Sequence, residues 1–273
     1  MRLLITVKTY PIPSAKYDEL VCTAGVQEDG SFVRLYPINF RDLPYSQQFQ
    51  KYQWIEAEVQ KHTGRDVRKE SYRPNSDTIR LIGEPIPTGR RQDWSNRAKY
   101  ALAKKSESME HLRAQQDLDR TSLGVFKPKA VHDLVITPDD ADWKAGFKAA
   151  LTQARLWENR TASLEPPRKV PFRFQYVFTC DDSSCNGHRM MIEDWEVGAL
   201  YWRCIDGGST QTEACQKVRE KFLNQLCGAN RDTHFYVGTI LAYPKSWVVI
   251  GVFWPKYQKI ALKADLPLLA GLD

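Results

Sequence analysis

Apolar and polar residues alternate through the first third of the chain and then give way to longer periods. Residues 2–8 and 19–26 carry strand patterns, and Glu28-Asp29-Gly30 predicts a hairpin turn that returns the chain as a third strand over 31–38. Residues 39–52 are largely polar, carry Leu43 and Phe49, and suit a short helix. Over 53–62, Ile55, Ala57 and Val59 alternate with Glu56, Glu58 and Gln60, the period of two that a half-buried strand requires. A fifth strand is expected over 77–86, which leaves 63–74 as the loop before it.

Residues 93–119 are helical in pattern but poorly amphipathic, and read as an exposed connecting helix. A strand follows over 130–136. Pro138 to Asp142 then places acids at the positive end of a further helix, whose buried face would be Trp143, Phe147 and Leu151. The three prolines of 161–171 mark the expected boundary between two halves. Beyond it, Phe172, Phe174, Tyr176 and Phe178 share one strand face. Such a row can stack bases, but core is the expected role. A helix over 210–226 turns Cys215, Val218, Phe222 and Leu226 inward, with Gly228 after its end, and strands over 233–241 and 246–253 form a hairpin. The chain thus reads as α+β, in three parts: an N-terminal barrel over 1–92, connecting helices and a strand over 93–165, and an antiparallel-sheet and helix half over 166–273.

Three meandering strands, a helical insert and two more strands form an element order that resembles the OB fold, a five-stranded Greek-key barrel. The resemblance covers residues 1–87 and rests on element order alone. It implies binding of oligonucleotides or oligosaccharides across the second and third strands and the neighbouring loops.

Charge sharpens that expectation. The formal net charge is +6, but 61–105 alone holds twelve Lys/Arg against five acids, so the remainder of the chain sums to −1. A basic segment in a near-neutral chain suits phosphate contacts, which release counterions; a solvated loop is the alternative. Within it, Arg65, Arg68, Lys69, Arg73, Arg90 and Arg91 are the candidate phosphate ligands and Tyr72 the candidate stacking ring. No apolar run approaches eighteen residues, which excludes a membrane-spanning helix. The short apolar start lacks a small-residue cleavage site and reads as a strand, so the cytoplasm is the expected compartment, and the six cysteines are expected as thiols or metal ligands.

The densest chemistry lies between Cys180 and Glu196. Cys180-x4-Cys185-x2-His188 follows a strand, and Asn186-Gly187 lets the last two residues converge, as in a zinc knuckle. Cys204 is the expected fourth ligand, ahead of Cys227 or His234; water in that position would make the site catalytic instead of structural. Asp194-Trp195-Glu196 can hold a divalent metal on a strand, as a nuclease would, but on a helix the two acids diverge. Acids in a helix's first turn with Trp195 in the core is the simpler arrangement. Phosphate-loop, dinucleotide, nucleophile-elbow and zinc-protease motifs are absent. Three functions follow as expectations: a protein binding single-stranded DNA or RNA with structural zinc, a metal-dependent nuclease using Asp194 and Glu196, or a subunit of a larger complex.

Overall fold

The computed structural model describes residues 1–14, 18–64, 66–145 and 166–257. The N-terminal strands are β1 (Arg2–Lys8), β2 (Ile12–Ser14), β3 (Asp18–Val26), β4 (Phe32–Ile38), β5 (Trp54–Glu56), β6 (Val59–Lys61), β7 (Ser71–Pro74) and β8 (Arg80–Ile82). They form one eight-stranded sheet with the path β6–β7–β4–β3–β1–β5–β8, β2 being added on β3. Among the described strands of this sheet, β4 and β7 alone pair in parallel. β5 hydrogen-bonds to β1 and β6 to β7, although just Ala57 and Glu58 separate β5 from β6. The sheet therefore curls back toward its start as a half-barrel.

Leu3, Ile5, Val21, Leu35, Phe49 and Ile55 fill the inside of the curl. Leu4, Val7, Ala24 and Val26 point the other way and pack against Leu123, Val125, Tyr236, Ile250 and Phe253 of the second half. β1 is covered on both faces, which accounts for its unbroken run Leu-Leu-Ile-Thr-Val where a half-exposed strand would alternate. Between β3 and β4, Gly30 takes φ +80°, and a Cβ there would lie 2.6 Å from Ala103 Cβ. The span expected as a fourth strand is two strands. β7 lies inside 63–74, which reads as loop from sequence because the strand is four residues long and polar.

The single exposed helix expected over 93–119 is two helices, α1 (Ser95–Ala101) and α2 (Met109–Asp119). Ser108 caps α2 by accepting from the His111 N–H at 3.0 Å. Trp94, Ala101, Met109 and Leu112 are buried, so these helices are anchored at their ends and do not merely connect.

The second half contains β9 (Leu123–Phe126), β10 (Ala130–Pro138), β11 (Phe172–Thr179), β12 (His188–Met191), β13 (His234–Ile240) and β14 (Tyr243–Phe253). They form two antiparallel sheets, β10–β11–β12 and β14–β13–β9. β10 and β11 pair over most of their length although 161–171 lies between them. Phe147 and Leu151 fall outside the described residues. Phe174, Tyr176 and Phe178 are at most 3% exposed, so the aromatic row is core. α3 (Trp195–Asp206) presses on the first half through Gly198, where the Tyr10 ring sits 2.2 Å from a would-be Cβ. α4 (Gln211–Arg219) begins with a Thr210–Glu213 capping box and runs into a π-turn over Glu220–Gln225, burying Cys215, Val218, Phe222 and Leu226. The class is mixed α+β, and no described helix is long and apolar enough to cross a membrane.

Candidate functional site

Where the halves meet, the end of β1, the approach to β5, residues 88–97, the start of α3 and the end of β14 enclose a cleft of about 500 Å³. Trp94, Trp195, Trp254 and Tyr52 contribute rings, and Lys8, Lys51 and Arg97 contribute charge. Arg97 is pinned by its Nε–H, which donates to the Ile86 carbonyl at 2.7 Å. Its guanidinium lies over Tyr52 at 4.3 Å and Trp94 at 4.9 Å from the ring centres. Among the described residues no carboxylate pairs with it, and of its neighbours only tyrosines oppose the lowering of its pKa by burial. A preorganised guanidinium without an acid is a ready anion ligand.

Lys8 ends in the same cleft. Its ammonium lies 3.8 Å over the Phe40 ring and 5.2 Å from the Trp195 ring centre, and donates to the Phe49 carbonyl at 3.3 Å. Burial, reinforced by the Lys51 charge, lowers its pKa to about 8. Two of the three non-glycine residues with positive φ among the described residues, Tyr52 at 63° and Gln92 at 61°, also line the cleft. Backbone strain of this kind gathers at functional sites when the surroundings enforce it. Here Tyr52 is held on both sides, its N–H donating to the Ile5 carbonyl at 2.6 Å and its carbonyl accepting from Ile86 at 2.7 Å.

The Asp194-Trp195-Glu196 motif forms one wall, and its acids do converge. Asp194 precedes α3 with extended backbone and caps it, accepting from the Glu196 N–H at 3.0 Å. Because it stands outside the helix, its carboxylate and that of Glu196 reach the same cation, the Lys51 ammonium, at 3.0 and 3.2 Å. The divergence expected for two helical acids does not apply. Burial works to lower the Lys51 pKa, but Asp194 and Glu196 outweigh it and hold the ammonium charged; burial pushes Asp194 up to about 6 against the pull of Lys51. The position a nuclease metal would take between the two carboxylates is filled by this ammonium. Trp195 packs edge-on to Phe40 at 5.6 Å, tying the second half to the core of the first.

A separate cluster joins Cys180, Cys185 and His188 to Glu110 from the first turn of α2, with all four donor atoms within 4.8 Å of one another. These residues can hold a metal ion. Cys204 is not among them; it lies on α3 beside Lys217 and Phe222. Cys227 donates to the Phe222 carbonyl at 3.3 Å, and His234 Nδ1 lies 3.0 Å from the Asp232 carbonyl. Glu110 escapes sequence reading because it stands 70 residues before Cys180 on a helix with little amphipathic signal.

Those predicted phosphate ligands that lie among the described residues are scattered by the fold. Arg68 is buried, chelating Asp66 at 2.7 and 2.8 Å and donating to the Thr239 carbonyl at 2.9 Å across the two halves. It is unavailable to a phosphate. Neighbouring Glu70 accepts from the Ser122 N–H and hydroxyl at 3.1 and 2.6 Å, and buried Arg34 donates to Ser71 and Ser122. Lys69 pairs with Asp119, and the Lys61 ammonium covers the Tyr72 ring at 4.3 Å. Arg73 and Arg90 are exposed. Arg90 stands between Thr88 and Gln92, both of which line the cleft. Arg65 and the Arg91 side chain lie outside the described residues.

Comparison with known proteins adds a family but no activity. No curated protein matches the chain. A solved structure titled "Structure of murine DNA binding protein bound with ds DNA" is similar over 95% of this chain and 96% of its own, at 9% identity and a TM-score of 0.30. A likeness of that strength carries no argument. Residues 1–103 match the model described as Domain of unknown function (DUF8758). Residues 104–267, more than half of the chain, match Domain of unknown function (DUF8757), and the protein belongs to that family.

Proposed function

We propose that this protein binds single-stranded nucleic acid through the cleft at the junction of its halves. The observation that carries the reading is Arg97, fixed against two aromatic rings with no acidic partner among the described residues. In this reading Arg97 and Lys8 contact phosphate, and the partly exposed rings of Trp195 and Trp254 offer stacking surfaces for bases. Exposed Arg90, on the segment that lines the cleft, extends the phosphate path. The curled N-terminal sheet is the scaffold, and the cysteine–histidine cluster stands outside the cleft as a structural element.

The test is fluorescence anisotropy with labelled single-stranded DNA and RNA at low salt and through a salt series. Binding is expected to weaken steeply with salt. Arg97→Ala is expected to weaken it about 10–100-fold, the scale of a charge-assisted hydrogen bond. Absence of binding at low salt, to either polymer, ends the reading.

A further inference from the structure

We propose that Glu110, Cys180, Cys185 and His188 hold a zinc ion that clamps the N-terminus of α2 to the β11–β12 turn. The inference is independent of nucleic-acid binding. The donors come from two segments and converge. Cys185 Sγ lies 3.4 Å from His188 Nε2, and that nitrogen lies 2.8 Å from Glu110 Oε1. A tetrahedral zinc ion with these ligand types sets its donors about 3.3–3.8 Å apart, so the observed set closes around one by small side-chain shifts.

The surroundings are built for sulfur acceptors. The Met109 N–H points at Cys180 Sγ at 3.5 Å, and the Cys180 and Gly187 N–H groups point at Cys185 Sγ at 3.2 and 3.4 Å. Gly187 takes φ +87°, which turns the following chain so that His188 returns to Cys185. The turn is fastened to the helix cap as well, since the Ser108 hydroxyl donates to Asp182 at 2.9 Å.

A second observation points to a ligand. Glu110 Oε2 is buried without any hydrogen-bond partner. An unsatisfied buried carboxylate oxygen is costly, and a cation among the four donors relieves it. Two sulfurs and an imidazole exclude calcium and magnesium, which take oxygen. Four protein ligands complete a tetrahedron and leave no open position, which makes the site structural.

Elemental analysis of protein purified without chelator should find one equivalent of zinc. Cobalt substituted for it should give the tetrahedral visible bands and the near-ultraviolet charge transfer of two thiolates. Cys185→Ser should lose the metal. Glu110→Ala should weaken zinc affinity at least tenfold and alter the cobalt spectrum, and Cys204→Ser should change neither. Zinc-free protein that takes up no zinc or cobalt on addition would overturn the proposal, whatever the variants do. It would also fail if Cys204→Ser released the metal while Glu110→Ala, shown folded by circular dichroism, retained it.

Discussion

Residues 65–73 and 88–97 carry the same sequence signal, several arginines or lysines with an aromatic residue among them, and the fold treats them in opposite ways. In the first segment Arg68 and Glu70 turn inward. Arg68 chelates Asp66 and bonds the Thr239 carbonyl, Glu70 holds Ser122, and Lys69 pairs with Asp119. The second segment places Arg97 over Tyr52 and Trp94 with no acid among the described residues to neutralise it. A count of positive charge cannot distinguish these cases, because the partner of each charge is decided by strands distant in sequence. The first segment joins the halves, and the second furnishes the cleft between them.

The largest effect expected from that contrast is on stability. Arg68→Ala leaves the Asp66 carboxylate 4% exposed and without its counter-ion, and should cost about 3–5 kcal/mol in urea unfolding. Arg97→Ala removes one hydrogen bond and two ring contacts at a partly exposed site, and should cost about 1–2 kcal/mol. For oligonucleotide affinity the order inverts, with the 10–100-fold loss expected of Arg97→Ala. If Arg68→Ala left stability unchanged, or Arg97→Ala left affinity unchanged, the division of labour between the segments would be wrong.

Proton linkage gives a smaller effect of defined sign. Lys8 faces Lys51, Glu196 and Asp194 in a setting of Phe40, Phe49 and Trp195 rings, and its pKa falls from 10.5 to about 8. Between those values the unfolded chain holds a proton that the folded chain has released, so stability should rise with pH from about 8 to 10.5. Anion binding wants the ammonium, so affinity should fall over pH 7–9, by roughly fivefold for one charge near a phosphate. Bound phosphate raises the Lys8 pKa and moves that midpoint upward. Thermal melts and anisotropy at stepped pH check both slopes. Lys8→Met should flatten both, and persistence of the affinity slope in that variant would assign it to another group.

Much of the scaffold was legible in the sequence because strong local chemistry dictates it. The turn at Gly30, the helix begun at Thr210 and its inward stripe of Cys215, Val218 and Phe222 depend on neighbours a few residues away. β7 was hidden because its pairing with β4 places Ser71 and Tyr72 by contacts made 37 residues back in the chain. Cys180, Cys185 and His188 announced themselves by spacing, whereas Glu110 is an ordinary acid in a helix's first turn until α2 docks. The helix start at Asp194-Trp195-Glu196 was legible, but the convergence of its acids was not: a capping residue has strand-like backbone, so the angular rule for helical neighbours does not hold for it. Arg97 was visible only as one charge among twelve.

The smallest effect is the sharpest check on the contrast. Lys69 and Asp119 side chains are 47% and 48% exposed, the regime in which an ion pair contributes at most about 1 kcal/mol. Lys69→Ala should therefore leave stability within that margin and leave oligonucleotide affinity unchanged. Lys69 also borders a second groove, of about 610 Å³, together with Tyr72, Lys104 and Lys105. There the Asp29 carboxylate binds Lys104, as Asp119 binds Lys69, so the groove's cations are largely answered within the protein. Loss of affinity in Lys69→Ala comparable to that in Arg97→Ala would mean that the nucleic acid displaces these acids and lies along the first segment. The unpaired Arg97 would then be a consequence of packing, and the distinction between the two segments would have to be drawn from stability alone.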